Sequence, residues 1–281
     1  MPSWTDVAAF ADHAEAIGLD SVWACDHFLS EPPGRPPEGI HEGWTILSAL
    51  AASTSRVEVG ALVMCVSFRN PALLAKMAVT ADAVSGGRLV LGLGAGWYDR
   101  EYEAFGYPTD HRVGRFEEAL RIIAALVRGQ SATLEGRYHQ VRDAVLLPPP
   151  DRALPILVAA KGLRMLRLTA RYADAWNTAW FGSPDDGLRR RIADLDVAVE
   201  AEGRDPSTLR RTVGMDVADP QALAANTADG TVFTGSVDEL ARAIDAYEAL
   251  GFDDLIVGLE PRTERSLNRL HEAVALSGLR P

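Results

Sequence analysis

Apolar residues along the chain follow two alternating rhythms: short continuous runs, and longer stretches with apolar positions three and four apart. Residues 4–17 set Trp4, Val7, Ala8, Phe10, Ala11, Ala14 and Ile17 at helical spacing, after a Ser3/Asp6 capping-box pattern and before Gly18 as a stop. The runs at 20–25, 57–64, 88–94, 154–160, 173–177, 210–217 and 253–259 predict strands, and the stretches between them predict helices. Asn70-Pro71 predicts an N-cap followed by proline in the first helical turn, and Ser183-Pro184 caps a helix to about 202. A long helix is expected around 112–128, and Ser236 with Glu239 opens another, running to about 250. Residues 130–150 read as an excursion of short strands that closes on Pro148-Pro149-Pro150.

Continuous rather than alternating apolar runs imply strands buried on both faces, as in a parallel sheet covered by helices. A helix followed by seven strand–helix alternations predicts an α/β fold, a (β/α)8 TIM barrel, whose usual size is roughly 250 residues. The chain opens on a helix where such a barrel opens on a strand. The expectation is therefore a barrel lacking its first strand, with a late start and an upstream strand of about 5–8 residues. No linker or composition break divides residues 1–281, which implies a single domain.

Composition narrows the function. With 281 residues, 47% hydrophobic and 24% charged, the chain can bury a substantial core. A formal net charge of −11 argues against nucleic acid or an anionic membrane as partner, and leaves room for a local phosphate site. Cys25 and Cys65 form no framework, so reduced thiols and a cytoplasmic location are expected. No apolar stretch nears the ~18 residues of a membrane span, and the first residues lack a signal-peptide pattern. The histidines, His13, His27, His41, His111, His139 and His271, show no metal-binding spacing, so no metal is expected. Gly-x-Ser-x-Gly and P-loop patterns are missing too.

The stretch GGRLVLGLGAGWYDREYEAFG, residues 86–106, ends an apolar run in Gly92, Gly94 and Gly96. A dinucleotide turn needs Gly-x-Gly-x-x-Gly opening a helix and an acidic residue ending the next strand, and neither is present. In a barrel, strand C-termini carry the active site, and glycines there let a flat ligand approach the backbone or relieve crowding between strands. Four other strand ends stand out: Asp26-His27, the end of LVMC at Cys65, Ala159-Ala160-Lys161-Gly162, and Trp176-Asn177. Small residues before a helix make an anion site, which Lys161 and Arg164 either reinforce or merely flank as solvated surface. His27 is either a chemical group or a histidine satisfied by Asp26 or a carbonyl. Trp97 and Trp176 either face a pocket or pack the barrel rim.

The segments EAIGLDSVWACDHF, FRNPALLAKMAVTADAVSGGRLVLGLGAGWYDREYEAFG and LTARYADAWN resemble the bacterial luciferase-like monooxygenase superfamily, in its coenzyme F420-dependent oxidoreductase branch. The resemblance runs nearly the whole chain. It implies a TIM barrel with a flavin or deazaflavin across its C-terminal face, and a non-prolyl cis peptide at Leu62–Val63, ahead of Arg69-Asn70-Pro71. The bulge made there presses on the cofactor ring. By motif, Asp26 and Cys65 contact the ring or its polar edge, and Ala95, Gly96 and Arg100 lie beside the ring or its side chain. Lys161, Gly162, Arg164 and Met165 hold the phosphate, and His27 matches a proton donor. Sugar-phosphate-oxidising relatives carry a glutamate where this chain has Trp97, which argues against that substrate class.

The resemblance thus implies an oxidoreductase that moves a hydride between F420 and a small organic substrate lying under loop 29–43. His27 exchanges the proton, and Trp97, Trp176 and Asn177 line the pocket. The alternatives are an FMN-dependent two-component monooxygenase served by a separate reductase, and a non-catalytic carrier barrel. A homodimer is expected from the family.

Overall fold

The computed structural model describes residues 2–30, 39–221 and 232–278. In chain order the first half holds α1 (Trp4–Ala16), β1 (Ser21–Ala24), α2 (Gly43–Ser53), β2 (Glu58–Ala61), β3 (Met64–Cys65), α3 (Pro71–Ser85), β4 (Leu89–Gly94), α4 (Asp99–Phe105) and α5 (Arg112–Val127). A hairpin of β5 (Ala132–Glu135) and β6 (Gln140–Ala144) leads to β7 (Ile156–Ala159) and α6 (Leu163–Tyr172). Then come β8 (Ala175–Phe181), α7 (Asp186–Ala201), β9 (Arg210–Ala218), β10 (Val232–Phe233), α8 (Val237–Glu248), β11 (Asp254–Glu260) and α9 (Glu264–Leu276).

Two compact units emerge. The first comprises residues 1–3, 21–159 and 171–174; the second comprises 4–20, 160–170 and 175–281. In the first, β1, β2, β4 and β7 lie in that order, all parallel, with β3 also paired to β4. Parallel pairing sets every strand's C-terminal end on one edge, so residues after Ala24, Cys65 and Gly94 are neighbours although far apart in sequence. In the second unit β9 is flanked by parallel β8 and β11, and β10 pairs with its last residues. The expected parallel α/β class is therefore present. β4 is buried at every residue, as a continuous apolar run requires, whereas β1 is only half-buried throughout.

Several elements differ from the reading of the chain. The run at 57–64 is two short strands interrupted at Leu62–Val63, whose peptide is cis; a second non-proline cis bond joins Ala179 and Trp180. The helix α4 was not expected, because its seven residues are too few for an apolar periodicity to show. The strand predicted at 173–177 runs on to Phe181. Asp185, not Ser183, caps α7, its carboxylate accepting the Leu188 N–H at 2.7 Å. The Asn70 cap and the Ser236–Glu239 capping box are present as expected. Among the described residues no helix is long and apolar enough to cross a membrane.

Arg88, between α3 and β4, ties the first unit together. Its guanidinium donates to the carbonyls of Ala51 (3.0 Å), Thr54 (2.7 Å), Val57 (2.6 Å) and Ser85 (2.7 Å), satisfying the open C-terminal end of α2. Arg88→Ala leaves these carbonyls unpaired beside buried neighbours. The expected loss is about 2–3 kcal/mol, read as a lower urea midpoint at unchanged slope. Arg88→Lys should recover little, because a single ammonium cannot reproduce the fork. A loss under about 0.5 kcal/mol would show that the fork contributes nothing.

Candidate active site

The interruption at Leu62–Val63 explains the glycines of β4. Val63 leaves the strand and presses toward its neighbour. A Cβ at Gly94 would stand 2.5 Å from Val63 Cγ2, and one at Gly92 would meet the Ala61 carbonyl oxygen and lie 3.2 Å from Val63 Cγ1. These glycines accept the adjacent strand; they do not open a phosphate-binding turn. Gly96 has φ of +77°, a left-handed conformation that glycine adopts without a steric penalty. A Cβ there would run into the Tyr102 hydroxyl and lie 2.7 Å from Cys65 Sγ.

Asp26 and Cys65 meet directly behind this bulge. Asp26 Oδ2 accepts the Cys65 N–H at 2.9 Å, and both carboxylate oxygens accept from Arg69 in a bidentate pair at 2.7 and 2.8 Å. Arg69 also pairs with Glu42, whose carboxylate caps α2. Burial alone would lower the Arg69 pKa. Hydrogen bonds and charge from Asp26, then Glu42, more than offset it and hold the guanidinium firmly protonated. The Asp26 carboxylate is thus engaged on both oxygens inside the protein, and it positions the segment that carries Cys65. The Tyr102 hydroxyl donates to the Ala95 carbonyl at 2.9 Å, so the contact of 3.1 Å between Cys65 Sγ and that hydroxyl has the thiol as donor. Burial raises the pKa of both groups, so both are neutral near pH 7.

His27 follows β1 and is held by a residue that the sequence reading missed. Glu101, 1% exposed on α4, accepts the backbone N–H groups of Phe28 (2.6 Å) and Leu29 (3.0 Å) and lies 3.0 Å from His27 Nδ1. A carboxylate only accepts, so Nδ1 carries a proton, and Nε2 has no hydrogen-bond partner among the described residues. Phe28 packs on Phe68 and Phe105 at ring distances of 4.4 and 4.5 Å, which seats the segment. Trp97, 72% exposed, sets its ring 5.7 Å from His27 in an edge-on arrangement. Arg100 lies on the exposed side of α4. The expected covering loop 29–43 lies largely outside the described residues, which omit 31–38.

The second unit carries the other expected residues. Gly162, with φ of +73°, precedes α6, flanked by Lys161 and Arg164, while Met165 is buried in the first helical turn. Burial, and then the charge of Arg191, lowers the Lys161 pKa. Arg191 was not foreseen as a member of this group: it sits on α7 and reaches it only through the fold. Trp176 does not line a pocket. It is 0% exposed, its Nε1 donates to the Ala160 carbonyl at 3.1 Å, and its ring stacks near Phe252. Its place is on the helix-facing side of β8, where a large ring fills the core. Asn177 is buried too. Its Nδ2 donates to Thr212 Oγ1 at 2.8 Å, and its Oδ1 has no partner among the described residues.

Each unit carries its own set of features. Among the described residues no His, Cys, Asp or Glu group is arranged to hold a metal ion. The first unit offers a bulged strand with a glycine-walled neighbour, and the second offers two cations beside a glycine turn and an orphan amide oxygen that accepts a hydrogen bond.

Two outcomes follow from the geometry. Asp26→Asn removes the buried charge partner of Arg69, leaving it only the more exposed Glu42, and should cost about 3 kcal/mol, whereas Asp26→Leu with Arg69→Met should recover part of it, both read by urea unfolding. Long-range nitrogen–proton NMR should show His27 protonated at Nδ1 in the native protein and a tautomer mixture in Glu101→Gln. An unchanged His27 spectrum in that variant would remove Glu101 from its positioning role.

Comparison with known proteins agrees with this architecture. The profile of the luciferase-like monooxygenase family matches residues 1–219. An F420-dependent glucose-6-phosphate dehydrogenase of Kineococcus radiotolerans is 34% identical over 79% of this chain and 67% of its own length. A phthiodiolone/phenolphthiodiolone dimycocerosates ketoreductase of Mycobacterium tuberculosis is 36% identical over 74% of this chain and 58% of its own. The chain spans 52% to 67% of the length of such curated relatives. Among solved structures, an F420-dependent secondary alcohol dehydrogenase in complex with an F420-acetone adduct superposes with a TM-score of 0.83 over 98% of this chain and 95% of its own, at 19% identity. That last likeness is one of fold, and it gives this chain the TIM-barrel fold. With the family profile covering more than half of its residues, the chain belongs to the luciferase-like monooxygenase family.

Proposed function

We propose that this protein is an F420-dependent oxidoreductase that exchanges a hydride with a small organic carbonyl or alcohol. The observation that carries the reading is His27. Its Nδ1 is fixed by buried Glu101, and Nε2 is left over in the unit that holds the Leu62–Val63 bulge. The F420-dependent glucose-6-phosphate dehydrogenase relative and the fold likeness support it. When bound, the deazaflavin supplies the hydride chemistry. The chain's own residues orient and shield: Val63, Cys65, Ala95 and Gly96 form the wall for the ring, with Leu62 and Asp26 holding that wall in place. In the same unit Arg100 faces the side chain of the cofactor, and within the second unit Lys161, Gly162, Arg164 and Met165, joined by Arg191, offer an anion site of the kind a cofactor phosphate takes. His27 Nε2 holds or accepts the proton at the substrate oxygen, a role usually worth about 10²–10⁴-fold in rate.

Trp97 beside His27 makes the substrate side aromatic rather than acidic, which favours an apolar carbonyl or alcohol over a sugar phosphate. Residues 1–281 act as one luciferase-like domain, as a homodimer in the cytoplasm. The separate reductase belongs only to the FMN reading.

Paired fluorescence titrations with F420 and with FMN test the cofactor. Micromolar F420 binding with FMN at least tenfold weaker is expected. The reverse preference, with oxygen consumed, would move the protein to the flavin monooxygenases. With reduced F420 and a panel of small ketones, His27→Ala should lower turnover about 100-fold at an F420 affinity within threefold of the native protein. Unchanged turnover would take His27 out of the chemistry. Binding of F420 with no turnover on any ketone or alcohol would favour the carrier.

A further inference from the structure

Trp97 follows the C-terminal end of β4, and the backbone around it is fastened at three successive residues. The Tyr102 hydroxyl donates to the Ala95 carbonyl at 2.9 Å. Gly96, at φ of +77°, lies so close to Tyr102 and Cys65 that a Cβ there would run into both. The Trp97 carbonyl accepts from Arg112 Nη1 at 3.3 Å. Arg112, at the start of α5, is itself placed by α4: its guanidinium lies 4.4 Å from the centre of the Tyr102 ring and pairs with Asp99.

All of these residues belong to the first unit, as do His27 and Glu101. The indole stands beside two rings, with Tyr98 at 5.3 Å and a tilt of 33°, and His27 at 5.7 Å and nearly perpendicular at 74°. Among the described residues no other aromatic ring contacts His27. Single exposed aromatics are common on protein surfaces and need no function. This one differs in projecting from a pinned segment at a strand's C-terminal end, where ligands contact (β/α)8 proteins, and in adjoining the imidazole whose Nε2 has no partner. A hydrogen bond to that nitrogen spans about 3 Å, less than the separation of the two rings. The group attached to the bonded oxygen therefore has this indole as its aromatic neighbour.

Charge around the indole is already spent. Asp99 is paired with Arg112, and Glu101 with His27 and two backbone amides. What is left to read the substrate is a ring 72% exposed. An aromatic face gains more from a flat ring than from a saturated one of the same skeleton, and a fixed backbone leaves less freedom to lose on binding.

We propose that Trp97 is the specificity-determining residue of the site, selecting substrates with a planar, uncharged ring bonded to the carbonyl or carbinol carbon. This names the substrate class of the oxidoreductase reading above and rests on it.

The test uses the full chain, first without cofactor and then with reduced F420. Acetophenone is the planar probe, and cyclohexyl methyl ketone is its saturated counterpart. Dissociation constants come from saturation-transfer NMR titration, and kcat/KM from F420 oxidation. The native protein should favour acetophenone about fivefold in both, and acetophenone should shift the His27 Nε2 resonance. Trp97→Leu, apolar but without a ring, should erase the preference, Trp97→Phe should keep most of it, and F420 affinity should stay within about twofold in both. Equal binding of the two ketones, no binding of acetophenone, or an unshifted His27 resonance in the native protein would overturn the proposal. So would a preference that survives in Trp97→Leu. An F420 affinity that falls about tenfold in Trp97→Leu would assign the ring to the cofactor and overturn it as well. If the native protein binds no F420 or turns over neither ketone, the oxidoreductase reading falls, while the cofactor-free preference and its loss in Trp97→Leu still decide this one.

Discussion

The Asp26–Arg69 ion pair is the constraint on which the candidate site depends. It joins the end of β1 to the segment after β3, with both carboxylate oxygens engaged by the guanidinium and one also by the Cys65 N–H. Buried charges are costly unless paired and hydrogen-bonded, so this arrangement tolerates little displacement. With it in place, Cys65 can meet Tyr102, Tyr102 can fasten the Ala95 carbonyl, and Val63 can lie against Gly94. Three strand ends are locked by one short chain of contacts, of which only the first is ionic.

Glu101 adds the second constraint. It holds His27 together with the two backbone amides that follow, so the histidine is oriented by the same group that shapes its loop. An orienting carboxylate behind an imidazole is a general device for fixing which nitrogen is presented outward. Phe28 packs on Phe68 and Phe105 and so seats that segment, while Trp97 beside His27 is exposed. Orientation by Glu101 and aromatic surroundings are what the described residues contribute around His27.

Much of this was legible beforehand, residue by residue. The caps at Asn70 and Ser236 are local hydrogen-bond patterns written in adjacent residues, and both are present. The Leu62–Val63 bulge followed from a resemblance rather than from periodicity, and the cis bond is there. Trp176 shows the opposite case. Its position at a strand end suggested a pocket wall, yet strand alternation turns it toward the helices, where it is fully buried. Glu101 was hidden because α4 is one short charged helix whose single buried face carries only Glu101 and Tyr102. Arg191 was hidden because nothing local marks a helix cation that reaches back to the end of the preceding strand.

The sequence by itself determined the strand–helix order, the parallel class, the family resemblance and the residue types at the strand ends. Those depend on apolar runs, capping pairs and turn residues, whose information lies within a few positions. Only the tertiary structure decided which partners those residues take: Arg69 for Asp26, Glu101 for His27, and Val63 for Gly94. Such pairings depend on strand register and on bulges that shift it by a residue. Register is set by the packing of neighbouring strands, which no local stretch of chain encodes.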